Sequence, residues 1–208
     1  MDIHGKLKQY LRRMEASGHP KPGSSVKAGG NTGIAYEELF YFDLSLGLFD
    51  RFNRHQVVNW CWRKKDGKWA LQNIPFTEEW DQDGKAALVD SLKRTLQSGG
   101  IVIGAFSNQS VIGFASVESQ SFGPDLEYVQ LSNLHVSFEY RGKGIGKRLF
   151  KMACNAARAL GARKLYISAH SAEETQAFYK SMKCKEAEFY CAKLVMKEPC
   201  DCQLEYVL

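Results

Sequence analysis

The chain has no apolar run near the roughly 20 residues that a bilayer crossing requires. Its opening residues, MDIHGKLKQYLRRME, contain no apolar signal-peptide core. A cytoplasmic protein without a membrane partner is therefore expected. Its six cysteines (61, 154, 184, 191, 200 and 202) then read as reduced thiols. Cys200-x-Cys202 is the one pair that suggests a metal. It lacks the second pair or Cys/His set that a structural zinc site needs, so no metal is expected. No helix-turn-helix or RNP motif is present, and no clustered basic helix lies beyond residues 1–18. A nucleic-acid partner is not expected from a net charge of +5 alone. No internal repeat is visible.

With 208 residues, 44% of them apolar and 25% charged, the chain can bury a core without staples. Residues 1–18 place Ile3, Leu7, Tyr10, Leu11 and Met14 at helical spacing, and 19–33 hold most of the Pro/Gly/Ser density, a linker signal. Residues 34–53 are rich in aromatics that look exposed. We take 1–54 as an amino-terminal extension and 55–208 as an α/β domain. In the domain, Val57–Trp62 and Trp69–Ile74 flank a Lys65-Asp66-Gly67-Lys68 turn, and Ile101–Phe106 and Val111–Val117 form a second hairpin. Helices are expected over Ala86–Leu96, over Ile145–Leu160 and, from a Ser171-x-x-Glu174 capping box, through Met182. Leu165–Ser168, Glu188–Met196 and Gln203–Leu208 read as strands.

The strand Tyr128–Val136 is informative. Its apolar period of two slips between Leu131 and Leu134, as a β-bulge at Ser132-Asn133 would cause, though a strand end gives the same pattern. Next comes Arg141-Gly142-Lys143-Gly144-Ile145-Gly146-Lys147, running into a helix. Glycines let backbone approach an anion, a helix start offers free N–H groups, and three cations add charge suited to a phosphate. The P-loop fails here because Arg148 replaces its hydroxyl residue. The dinucleotide fingerprint fails on glycine spacing.

The loop resembles the Arg/Gln-x-x-Gly-x-Gly/Ala pyrophosphate loop of the GNAT N-acetyltransferase superfamily. Leu134 to Arg141 resembles the family's strand leading to that loop, and Phe178-Tyr179-Lys180 resembles its tyrosine helix. Trp62 with Asp66 to Trp69, and Val111 to Ala115, resemble two earlier strands, so the likeness spans roughly 55–208. Lys183-Cys184 departs from the usual Gly-Phe, and Ala172 stands at the usual helix-start asparagine position.

The resemblance implies a mixed central sheet splayed at a bulged fourth strand, with helices on both faces. It implies acetyl transfer from acetyl-CoA to a primary amine of a small molecule or peptide by direct attack; a homodimer is compatible with this. Leu134, His135 and Val136 would meet the pantetheine arm and thioester, with the Val136 N–H as oxyanion donor. Arg141, Gly142, Lys143, Gly144, Ile145, Gly146 and Lys147 would hold the pyrophosphate, and Ser171 and Tyr179 would also touch the cofactor. Tyr179 is the implied general acid. For the base, the family's glutamate position falls on Gln130, leaving His135, Glu127 and Glu118. Cys154 or Cys184 would serve only an acyl-enzyme route. A silent CoA-binding module is the alternative reading. Residues 34–62 are expected to help wall the acceptor side.

Overall fold

The computed structural model describes residues 33–208, so the expected helix over 1–18 and nearly all of the linker lie outside the described residues. The compact unit begins at Ile34, and its first strand, β1 (Ala35–Leu39), pairs antiparallel with β4 (Ile101–Ser107). β2 (Gln56–Lys65) and β3 (Lys68–Glu78) form a separate two-stranded sheet. Their turn is Asp66-Gly67, with φ of 51° and 75°, the double positive φ of a type I′ turn. Asn108-Gln109, with φ of 48° and 63°, joins β4 to β5 (Ser110–Val117) in the same manner. β6 (Tyr128–Val136), β7 (Lys164–Ala169), β8 (Lys185–Glu186) and β9 (Cys202–Val207) complete a seven-stranded sheet of order β1-β4-β5-β6-β7-β9-β8. β6 and β7 pair in parallel; every other neighbouring pair with a defined register is antiparallel.

Alternation along the strands distributes the core to both faces. Ile103, Ala105, Val117 and Leu131 gather with Leu149 and Ala153 of α2 (Ile145–Ala159). Val102, Val111 and Phe114 gather instead with Leu88, Val89 and Leu92 of α1 (Gln82–Gln97). α1 starts four residues earlier than its periodicity suggests, because Asp81 caps it by accepting from the Gly84 N–H at 2.8 Å. Among the described residues, no helix is long and apolar enough to cross a membrane.

Three expectations are corrected. Several aromatics of 34–53 are core: Phe49 is fully buried and Phe52 is 3% exposed beneath α1. The capping box does not form. α3 (Glu173–Ser181) has Ala172 at its cap without a side-chain hydrogen bond, since the Ser171 hydroxyl accepts from Arg63 and its carbonyl from the Trp62 N–H at 2.8 Å. Glu188–Met196 is not a strand. Pairing with β9 stops at Glu186, and the chain turns into α4 (Ala192–Lys197), with Leu194 packed against the buried Tyr128 and Tyr166 cluster.

Phe49→Ala is expected to cost about 3–5 kcal/mol of stability, the usual range for emptying a buried aromatic site; urea unfolding measures it.

Candidate functional site

The bulge in β6 is real. Ser116 pairs with Asn133 and Val117 with Leu131, which leaves Ser132 as the extra residue. A polar chain holds it. The Thr95 and Ser132 hydroxyls both donate to Glu118 Oε1, at 2.7 and 2.6 Å, and Asn133 donates to Ser116 Oγ, itself 2.8 Å from Ser132 Oγ. On the other edge β6 pairs with β7 only from Tyr128 to Gln130, and beyond that the strands diverge. A cleft of about 810 Å³ opens there, lined on one side by Ser132 to Val136 and on the other by Ile167 to His170.

Backbone direction in the cleft follows from the ladder. The Ser137 N–H donates to Ile112 O at 2.8 Å, toward β5. Antiparallel alternation then turns the N–H groups of Leu134 and Val136 away from β5, into the cleft. The Val136 carbonyl on that edge accepts from Arg141 Nε at 3.0 Å, and Arg141 also donates to the Arg54 carbonyl at 3.2 Å.

The glycine loop ends the cleft. Gly142 and Gly144 have φ of 74° and 79° with open space where a Cβ would stand, so backbone conformation is what calls for glycine there. At Gly146 the reason is room: a Cβ would meet the Phe178 ring at 3.3 Å. No side chain caps α2, and its first backbone donor with a partner is Arg148 N–H, to Gly144 O at 3.1 Å. The N–H groups of Ile145, Gly146 and Lys147 therefore remain available beside the Lys147 side chain, a combination of dipole and charge that suits an anion.

The cleft brings together Leu134, His135, Val136, Arg141, Gly142, Gly144, Ile145, Gly146, Lys147 and Tyr179. Three expected site residues lie off it. Lys143 folds back, donating to the Glu139 carbonyl at 2.9 Å and covering the Tyr140 ring. Ser171 spends its hydroxyl on Arg63. Glu127 precedes β6, roughly 20 Å along the strand from Leu134 by strand rise, and accepts from the Asp125 N–H at 3.0 Å. Of residues 34–62, only Arg54 and Gln56 line the cleft. Arg54 is placed by its neighbour: Asn53 exchanges backbone and side-chain hydrogen bonds with Ser137, Phe138 and Glu139. Sequence reasoning missed Arg54, His170, Glu198 and Asp201, each brought to the cleft by contacts that carry no local motif.

His135 lies between Trp80 and Phe114, at ring distances of 4.9 and 5.3 Å. Burial pushes its pKa down to about 3, and the positive charges of Arg54 and Arg141 push the same way. Tyr179, 6% exposed, has its pKa raised well above 10, chiefly by burial. Every fully buried side-chain polar atom among the described residues has a partner. The Tyr179 hydroxyl has no protein partner, so it must reach open space, and the cleft is the space it lines. Burial pushes the Cys154 and Cys184 thiols up to about 11 and 12, so neither supplies thiolate near neutral pH.

A splayed, bulged strand leading through a glycine loop into an uncapped helix is the arrangement expected from the sequence resemblance. Residues 54–183 match the Acetyltransferase (GNAT) family, and the chain belongs to it. No curated protein sequence matches the chain. Among solved structures, a nourseothricin acetyltransferase is 14% identical, aligning over 85% of this chain and 99% of its own with a TM-score of 0.62. A structure assigned to a streptothricin acetyltransferase of Bacillus anthracis str. Ames, with acetyl coenzyme A, is 16% identical over 85% and 97%, with a TM-score of 0.61. The PaiA N-acetyltransferase of Thermoplasma acidophilum, with coenzyme A, is 15% identical over 85% and 99%, with a TM-score of 0.52. At these identities the likeness establishes the fold.

His135 is expected to stay neutral from pH 8 to 5, and two-dimensional NMR of the imidazole resonances should show no titration there. Because folding favours the neutral ring, its contribution to stability is complete above the ordinary histidine pKa near 6.5 and declines as pH falls toward the folded value.

Proposed function

We propose that this acetyltransferase moves the acetyl group of acetyl-CoA to a primary amine of a small molecule or peptide by direct attack. The observation that carries the reading is the pair of Leu134 and Val136 N–H groups, aimed into a cleft that ends at the free amides of α2. The pyrophosphate would sit on those amides with Lys147, and the pantetheine arm would run along the open edge of β6. Val136 N–H would then donate to the thioester oxygen as it gains charge, an interaction strengthened in the transition state. Two of the neighbouring folds were solved with acetyl coenzyme A or coenzyme A, which supports the same ligand class here.

Tyr179 suits the role of general acid. Its hydroxyl is held protonated by burial and faces the cleft, so it can protonate the departing thiolate. The raised thiols of Cys154 and Cys184 argue for direct attack over an acyl-enzyme. His135 is a poor base: an imidazole with a pKa near 3 cannot readily take a proton from an ammonium group near 10.

Acetyl-CoA is expected to raise the melting temperature, as any ligand that binds only the folded state does. Gly144→Glu should abolish the shift by placing a carboxylate at the anion site, and an undiminished shift would refute the loop assignment. In turnover assays on an amine panel that includes streptothricin-type antibiotics, polyamines and peptides, Tyr179→Phe should lower kcat by about 10²–10⁴-fold with acetyl-CoA affinity unchanged. Binding without turnover on any amine would identify a silent CoA-binding module.

A further inference from the structure

The wall of the cleft across from β6 carries three carboxylates: Glu174, Glu198 and Asp201. They differ in how they are held. Glu174 bears electrostatically on Arg141, and the Glu198 side chain has no hydrogen-bond anchor among the described residues. Asp201 is fixed. Its Oδ2 accepts from Ser168 Oγ at 3.0 Å, and Ser168 Oγ accepts from Gln203 Nε2 at 3.1 Å. Gln203 Oε1 in turn accepts from the Tyr166 hydroxyl at 2.8 Å, and both of these side chains are buried. This line of hydrogen bonds leaves Asp201 Oδ1 without a protein partner in a cleft-lining position. Asp201 is also close enough for its charge to bear on Tyr179, whose unpartnered hydroxyl reaches the same space. The carboxylates suggested by sequence are less suited: Glu118 Oε1 is taken by Thr95 and Ser132, and Glu127 is remote.

Building on the acetyl-transfer reading, we propose that Asp201 is the general base of the reaction, and that the acidic wall it shares with Glu198 draws a cationic amine into place. An ammonium acceptor gives one N–H proton to Asp201, which releases it to solvent. The freed nitrogen lone pair forms the N–C bond at the thioester carbon, and the C–S bond breaks with its electron pair on sulfur. Tyr179 protonates the sulfur, and the second proton leaving the nitrogen replaces the one on Tyr179. One amide, one thiol and one proton result.

The surroundings suit the role. Burial raises the Asp201 pKa above the usual carboxylate value, and Glu198 and Glu78 push the same way. The Ser168 hydrogen bond and His170 oppose them. A base with a raised pKa is better matched to an ammonium proton. Tyr179 from α3 and the adjacent Cys202 also face it, and Lys197 of α4 lines the same cleft as the one cation beside Glu198 in sequence.

The test is the pH profile of kcat/KM for a turned-over amine, wild type against Asp201→Asn. The variant should lose about 10²–10⁴-fold at pH 7. It should recover about tenfold per pH unit toward the pKa of the amine, where free amine needs no base. Its acetyl-CoA affinity and thermal shift should match the wild type. A variant whose profile parallels that of the wild type, at either full or uniformly reduced rate, overturns the proposal while leaving the transferase reading intact. A wild type that binds acetyl-CoA yet turns over no amine overturns both. If Asp201→Asn loses the acetyl-CoA shift, Asp201→Glu decides. Restoration of the neutral-pH rate supports the base, and a folded Asp201→Glu as slow at pH 7 as at high pH overturns it.

Discussion

The site depends on one extra residue in one strand. Ser132 would be a defect if its neighbours did not hold it, because a bulge interrupts a ladder that otherwise satisfies the backbone. Here Glu118 gathers the hydroxyls of Thr95 and Ser132 on one carboxylate oxygen, and Ser116 with Asn133 closes the arrangement. The clasp ties α1 to the middle of the sheet. With it in place β6 bends away from β7, and the backbone beyond the bulge keeps pairing with β5 while its other edge is left for a ligand. Everything else at the site is arranged around that freed edge.

Charge is sorted along the cleft. Lys147 stands beside the free helix amides, while Glu174, Glu198 and Asp201 place three carboxylates in the lining, with Lys197 the cation next to Glu198 in sequence. Arg54 and Arg141 also line the cleft and are tied down: Arg141 by the Val136 and Arg54 carbonyls, Arg54 by Gln56 and Glu78. Burial among Phe114 and Trp80 is the main reason His135 resists taking a proton, and the field of the two arginines adds to it.

The legible features were those written in local pattern. The slip between Leu131 and Leu134, the glycine spacing from 142 to 146 and the apolar face of α2 all follow short-range periodicity, and each is found in the fold. What escaped was set by distant partners. Phe49 and Phe52 looked exposed because nothing nearby shows that α1 will cover them. Ser171 satisfied the capping-box pattern but met Arg63, 108 residues away, which no window could reveal. The residues 192–197 have a composition that suits strand or helix, and the end of pairing at Glu186 decided between them. Asp201 carries no motif. It becomes notable only when Ser168, Gln203 and Tyr166 are seen to hold it.

The β2–β3 hairpin is a sheet of its own, joined to the start of α3 through the Cys61–Ala172 bridge and the Trp62 N–H to Ser171 carbonyl bond. None of its backbone pairing enters the seven-stranded sheet. Its length, twist and exposed side chains can therefore be rewritten by mutation without shifting the register of any strand that shapes the cleft. The anchor lies immediately before the helix that carries Tyr179. Only its turn end is free of the site, because the paired Gln56 and Glu78 at the other end hold Arg54 in the cleft.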